Sequence, residues 1–150
     1  MMHAFPRTFS LATPRADRIA APAIPFPPLR PATYLRLCRE AAGLSRHAVA
    51  VRVAPRAGDL KHACDLLDVL ETPGNVARRA ETLERLRAVL PFDPDVYRQL
   101  ASEPPERHPR VCRGCAASAG NPRDDAGALR WATDQICARC AGEEGESDAA

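Results

Sequence analysis

The chain has 150 residues, which is enough for one modest domain with a small appendage. Its formal net charge of +2 is too small to indicate nucleic-acid binding by itself. Residues 1–31 contain four basic residues and one acidic residue, residues 32–103 eleven and ten, and residues 104–150 six and eight, so no segment has the charge of a strong polyanion binder.

Residues 1–30 are predicted to form a disordered arm, because seven of the 15 prolines fall within the first 31 residues and no apolar period persists. The arm bears arginine and is poor in acids, so a transit peptide or an over-extended start are alternatives. Prolines interrupt the apolar stretch 19–29, which makes it a poor signal-peptide core, and no run reaches a transmembrane length. A cytoplasmic, reduced protein is therefore predicted.

The apolar pattern of residues 31–103 predicts a mainly α-helical domain of five helices. Pro31 suits the first position of helix one, and Gly43 ends that helix. Ser45 is expected to cap helix two, and Asp59 helix three, which runs through about Glu71. Residues 72–75, Thr-Pro-Gly-Asn, break the pattern.

Two further helices complete the predicted domain. Residues Val76 to Leu90 carry the apolar period of helix four, and Pro91 ends it. Asp93 is expected to cap helix five. The side chains predicted to be mostly buried are Leu44, Val49, Val53, Leu67, Leu83 and Leu86.

The stretch PATYLRLCREAAGLSRHAVAVRVA, residues 31–54, resembles the first two helices of the XRE/Cro-type, phage-repressor-like helix-turn-helix family. The features that match are L-R-x-x-R-E-A-A-G-L-S and the amphipathic helix that follows, with its Val49-Ala50 pair. The resemblance implies a repressor-like fold in which the third helix lies in the DNA major groove. The residues proposed on this basis to bind DNA are Arg46, Arg56, Lys61 and His62.

The predicted third helix departs from that pattern. The stretch DLKHACDLLDVLE has one lysine and one histidine against four acids, whereas a groove helix presents basic and amide side chains to DNA. Basic residues precede it instead and could contact phosphates: Arg36, Arg39, Arg46, Arg52 and Arg56. A solvated helical face is the other interpretation of these residues.

Four cysteines near the C-terminus form two C-x2-C knuckles, Cys112 with Cys115 and Cys137 with Cys140, separated by 21 residues. Each knuckle brings two sulfurs to one tight turn, and four thiolates suit a structural, tetrahedral Zn²⁺. Two disulfides or four free thiols are the alternatives. His108 could replace one cysteine as a ligand, although a solvated linker histidine is the simpler expectation.

The C-terminal part is divided into a linker of residues 104–111, a small irregular four-cysteine zinc module of residues 112–141 and a disordered acidic tail of residues 142–150. F-D-P-D-V, C-R-G-C and W-A-T-D-Q-I-C-A-R-C resemble segments of small prophage-associated bacterial proteins that join an XRE-like domain to a cysteine-rich end. Trp131 is expected to pack over the metal centre, with a partner-binding role as the alternative.

Two functions remain open from the sequence. The chain lacks G-x-S-x-G, H-E-x-x-H and phosphate-binding glycine loops, so we expect no enzyme and no small-molecule substrate. Cys38 and Cys64 are expected to be apolar core residues, with a regulatory pair as a remote alternative. The first hypothesis is a DNA-binding transcription regulator that binds double-stranded DNA. The alternative is a protein-interaction adaptor built on the same helical domain and zinc module.

Overall fold

A computed structural model of the chain describes residues 26–119 and 129–142. Residues 1–25 of the predicted arm 1–30, residues 120–128, and residues 143–150 of the predicted tail 142–150 lie outside the described residues, and so does the disorder predicted for them. The described part contains six α-helices and one two-stranded sheet, which confirms a mainly α-helical fold. None of its helices has the length and apolar character needed to cross a membrane.

Five helices lie between residues 31 and 102, joined by short turns. Helix α2 packs on α3 and α4, and α1 packs on α5. Short 3-10 turns occur at Ala57–Asp59 and Pro105–Arg107. The helix bounds are Pro31–Ala41 for α1, Arg46–Val53 for α2, Leu60–Leu70 for α3, Ala80–Val89 for α4 and Pro94–Ser102 for α5.

Two of the three predicted side-chain caps are present. The Ser45 hydroxyl accepts a hydrogen bond from the backbone N–H of Ala48 at 3.0 Å, and the Asp93 carboxylate accepts one from Asp95 at 2.8 Å. Asp59 precedes α3 as predicted, but its side chain makes no capping hydrogen bond. The prediction fails there because Asp59 belongs to the preceding 3-10 turn and has helical rather than extended backbone angles.

The core of the helical domain contains most of the side chains predicted for it. Val49, Val53, Leu67, Leu83 and Leu86 are buried, as the helical period predicts. Leu44 is only partly buried, because it lies in the turn before α2 and covers the edge of the core.

Helix four begins later than its predicted apolar pattern. Val76 precedes α4 and is exposed, so its place in the helical period is wrong. The stretch before α4 is instead held by a tertiary contact, in which the backbone N–H of Ala77 donates to the Tyr97 hydroxyl at 3.0 Å.

The core extends beyond the predicted domain at both ends. Leu29, assigned above to the disordered arm, is buried against the helices, so that prediction is wrong for the last residues of the arm. Val111, assigned to the linker, and Ala116 of the cysteine module belong to the same apolar cluster. The helical core therefore extends to the edge of the cysteine module, whose cysteines form a second, separate cluster.

The second half of the cysteine module contains regular secondary structure, whereas residues 112–119 form turns and one isolated bridge. Strands β1, Trp131–Thr133, and β2, Ile136–Cys137, form an antiparallel hairpin, and the short helix α6, Ala138–Ala141, follows directly. Gly142 ends α6 with a φ of 78° in the left-handed region. The prediction of an irregular module is therefore wrong for residues 131–141 and confirmed for residues 112–119.

Candidate metal centre

The four cysteines of the two knuckles converge on one point. Their sulfur atoms all lie within 4.8 Å of one another, and the Sγ atoms of Cys115 and Cys137 are 3.7 Å apart. No disulfide joins any of the six cysteines, all of which lie in the described ranges, and a 3.7 Å separation is far longer than the roughly 2.05 Å of a disulfide. The group offers one ligand atom per residue and could hold a metal ion.

The first knuckle is a tight turn closed by backbone hydrogen bonds. The N–H of Ala116 donates to the Cys112 carbonyl at 2.8 Å, and the N–H of Cys112 donates to the Ala117 carbonyl at 2.8 Å. Ala116 has a φ of 59°, which is uncommon outside glycine. The bridge between Val111 and Ser118 then returns the chain antiparallel to itself.

Gly114 allows the second knuckle to approach the first. A Cβ atom at this position would lie 2.9 Å from the Cys140 sulfur and 3.0 Å from the Cys140 Cβ, closer than real Cβ contacts. Any side chain would therefore displace the Cys140 sulfur from the cluster. Glycine is needed at position 114 for space and not for its backbone conformation, since Gly114 has no positive φ.

The second knuckle is held against the first by the β1–β2 hairpin. The backbone N–H of Arg113 donates to the Gln135 carbonyl at 2.8 Å, which joins the first knuckle to the hairpin turn. Thr133 orders that turn, because its hydroxyl accepts hydrogen bonds from the N–H groups of Gln135 and Ile136. Cys137 ends β2, and α6 then carries Cys140 back to the cluster.

The Cys112 sulfur has an environment that favours the thiolate. Burial of this group opposes ionisation, but backbone N–H groups, led by that of Cys137, outweigh burial and hold its pKa at about 7. The N–H of Cys137 lies 3.3 Å from the sulfur and that of Gly114 lies 3.4 Å from it. Burial raises the pKa of Cys115, whose ionisation a bound cation would favour.

Trp131 packs against the cysteine cluster, as the sequence predicts. Arg110 stacks over this ring, with its guanidinium carbon 4.2 Å from the ring centroid. Arg110 also donates to the carbonyls of Thr133 and Asp134. Its position in the predicted linker offered no sequence signal for this role, because the contact joins residues that lie far apart along the chain.

The other candidate ligands and thiols lie outside the metal centre. His108, considered above as a fourth ligand, is not part of the cysteine cluster, and its Nε2 lies 2.9 Å from the Glu103 carbonyl oxygen. Cys38 is fully buried in the helical core. Cys64 is only partly buried and packs at the edge of the helical core, with its sulfur 3.9 Å from Nδ1 of His47, so the predicted core position is confirmed only in part for this residue.

The residues predicted to contact DNA lie on or beside α2 and α3, where acidic residues balance two of them. Arg46 donates to Glu71 at 2.8 Å and lies 3.5 Å from Asp68. Lys61 pairs with Asp65 at 2.7 Å, although its side chain remains largely exposed. Arg56 and His62 are exposed, and Arg56 has no ion pair among residues 26–119 and 129–142.

Glu71 is the acidic centre of this region. Its side chain is 1% exposed and accepts hydrogen bonds from Arg39 at 2.6 and 3.0 Å as well as from Arg46. Arg39, considered above as a phosphate contact, is thus committed to a buried ion pair between α1 and the end of α3. The sequence missed this pair because 32 residues separate its two members.

Comparison of the chain with protein-family models, with curated proteins and with solved structures finds no match in any of the three. The likeness to repressor-type helix-turn-helix domains therefore rests on the quoted residues of the first two helices.

Proposed function

We propose that the four cysteines bind one structural Zn²⁺. Four sulfur ligands fit a tetrahedral zinc site and leave no coordination position open for catalysis. The ion would join the two knuckles and replace the apolar core that so small a module lacks. Convergence of the four sulfurs within 4.8 Å of one another is the observation that supports this role.

Elemental analysis of protein purified under reducing conditions tests the metal. We expect about one zinc ion per chain, held by four thiolates. Less than about 0.2 zinc per chain together with disulfides detected by mass spectrometry would contradict the proposal. Stoichiometric iron would identify the other metal that commonly occupies such sulfur sites.

For the whole chain, we propose a protein-interaction adaptor in which the zinc module is fixed to a helical domain. The supporting observation is the set of ion pairs on the surface formed by Arg46 of α2 and by the charged residues of α3 and its end, which we call the α2–α3 face. Glu71 and Asp68 contact Arg46, and Asp65 contacts Lys61, so carboxylates lie beside the cations that phosphate would need. A DNA backbone brought to this face would meet those carboxylates as well as the basic groups.

A DNA-binding regulator is the second candidate, favoured by the exposed Arg56 before the 3-10 turn that leads into α3 and by the packing of α2 on α3. If DNA is bound, phosphate contacts should dominate its affinity. Replacing both Arg46 and Arg56 with alanine should then weaken binding to all duplexes alike. The plot of log affinity against log salt concentration should also become shallower, by about 0.9 in slope for each phosphate contact that is lost.

Titration of a labelled random duplex at low salt decides between the two functions. The adaptor proposal predicts no binding below about 100 μM, a limit near the weak end of non-specific DNA binding. Binding below that limit, with a steep salt dependence that the double variant reduces, would reject the adaptor proposal in favour of the regulator.

A further inference from the structure

A groove lies where the helical domain meets the cysteine module, and neither the metal centre nor the α2–α3 face uses it. It has a volume of about 410 Å³ and lies between residues 26–29, Pro105 with residues 108–111, and the β1–β2 turn. We call it the junction groove. Its apolar lining includes Phe26, Leu29 and Val111, with three prolines beside them.

Two arginines border this groove. Arg113 has no carboxylate within 4 Å among residues 26–119 and 129–142. Its guanidinium donates a hydrogen bond to the Pro27 carbonyl, and its guanidinium carbon lies 5.6 Å from the centroid of the Phe26 ring. Arg110 lies 3.3 Å from Asp134, whose side chain is fully exposed, so that pair is weakly held. The groove thus has a surplus of positive charge next to an apolar floor.

Two residues that line the groove, His108 and Gln135, each carry a buried acceptor atom that lacks a hydrogen-bond partner within the described part of the chain. Nδ1 of His108 and Oε1 of Gln135 are both buried and unpaired. Nε2 of His108 faces the Glu103 carbonyl, so in the neutral ring Nε2 carries the hydrogen and Nδ1 is an acceptor. Buried polar atoms without partners are rare in proteins, and each one calls for an explanation.

The lining defines the chemistry of a ligand. The arginines require an anion, the two acceptors require donors, and the floor requires apolar groups. An extended peptide with acidic side chains supplies all three, because its carboxylates pair with arginine and its backbone N–H groups donate. A nucleic-acid backbone supplies phosphate acceptors but lacks regularly spaced donors for His108 and Gln135.

We propose that the junction groove binds an acidic, extended segment of a partner protein. The proposal rests on the adaptor function and names the chemistry of its partner. Arg113 would pair with a carboxylate of the segment, Nδ1 of His108 would accept a backbone N–H, and Phe26 would contact an apolar side chain. Complementary charge selects this occupant over a basic or neutral peptide.

Fluorescence anisotropy with the full, zinc-loaded chain tests the groove. The probe is a fluorescein-labelled peptide of alternating glutamate and leucine, about eight residues long, and its matched control replaces every glutamate with glutamine. We expect a Kd below about 100 μM for the acidic peptide and at least tenfold weaker binding of the control. A tenfold loss corresponds to about 1.4 kcal/mol, close to the lower end of what one hydrogen bond to a charged group contributes.

Three variants locate the binding. We expect each of three substitutions to weaken binding of the acidic peptide at least about threefold: Arg113→Ala, His108→Ala and Phe26→Ala. The loss of affinity should be largest for Arg113→Ala, because Arg113 supplies the positive charge. Arg107→Ala is the matched control, since this exposed arginine lies outside the groove lining. Zinc content and Trp131 fluorescence report whether a variant retains its module. If Arg113→Ala loses zinc, the two other variants decide the outcome.

Several results would overturn the proposal. One is a zinc-loaded chain that does not bind the acidic peptide, and another is binding that none of the three groove variants changes. Single-stranded DNA that displaces the peptide through the same residues would assign the groove to nucleic acid. A chain ending at Gly142 that binds the peptide much more tightly would show that residues 143–150, with their four acids, are the occupant. A separate result would reject the adaptor function itself, namely binding of duplex DNA at the α2–α3 face.

Discussion

Gly114 has a role in the metal centre that only its missing side chain explains. A Cβ atom would come within 2.9 Å of the Cys140 sulfur, so Gly114→Ala should displace this ligand and weaken metal binding about tenfold or more. Competition with a chromophoric chelator measures the affinity. Gly58→Ala is the matched control, because nothing lies within 4 Å of a Cβ there, and it should leave the affinity unchanged. Native affinity in Gly114→Ala would show that the knuckles separate at little cost.

Glu71 is expected to stabilise the fold through its charge. Glu71→Gln removes the buried carboxylate partner of Arg39, so we expect a loss of about 3 kcal/mol, the lower end for a broken buried pair. Chemical denaturation at pH 7 measures the loss. Glu81→Gln, which breaks only an exposed pair with Arg85, is the control and should cost less than about 1 kcal/mol. Equal losses in the two variants would contradict this role.

The Glu71 pair also predicts a pH dependence. Burial opposes ionisation of Glu71, but hydrogen bonds from Arg39 and then Arg46 outweigh burial and hold its pKa below its usual value. A carboxylate with a lowered folded-state pKa contributes stability above its unfolded pKa of about 4.3 and loses this contribution as the pH falls through the folded value. Below about pH 4, the stability of the wild type should therefore approach that of Glu71→Gln. A gap that stays constant down to pH 2 would contradict the assignment.

At the scale of the element, α3 has a buried and an exposed side. Leu67 is buried on the side that faces α2, and Leu67→Ala should cost about 2–5 kcal/mol because it leaves a cavity. Val69 on the same helix is 50% exposed, and Val69→Ala is the matched control with little expected loss. Denaturant titration measures both, and a loss below about 0.5 kcal/mol for Leu67→Ala would show that this side of the helix bears little of the packing.

Two aspartates at helix starts should differ in their effect on stability. Asp93→Ala removes hydrogen bonds to the first turn of α5 and should cost about 1 kcal/mol. Asp59→Ala removes no capping hydrogen bond of α3, so a change within a few tenths of a kcal/mol is expected. Thermal or denaturant unfolding of the two variants compares them directly, and equal losses would mean that Asp59 caps α3 in solution.

For the whole molecule, the proposed zinc site predicts that removal of the metal affects more than the cysteine module. Val111 and Ala116 belong to the helical core, so release of the knuckles should lower the unfolding midpoint of the helices while most helical circular dichroism persists below it. Trp131, the only tryptophan, should report the loss of packing by a red shift of its emission. Re-addition of zinc should reverse both changes. An emission spectrum unchanged by complete metal removal would show that the module folds without the ion.

Local patterns determined much of this molecule. The apolar period located the helices, and Pro31, Ser45 and Asp93 marked helix starts because capping involves neighbouring residues. The spacing of the two knuckles identified the four cysteines that converge, since each C-x2-C pair is itself a local turn. These features depend on interactions over a few residues, which a sequence displays directly.

The tertiary structure alone decided which charges are free and where the two parts of the chain meet. Arg39 and Arg46 look like available cations in the sequence, yet Glu71 engages both from a distant helix. Leu29 and Val111 lie in stretches that have no helical period, yet both side chains belong to the core of the helical domain. Such contacts join residues that are far apart in sequence, and their geometry depends on how the helices pack, so no local pattern records them.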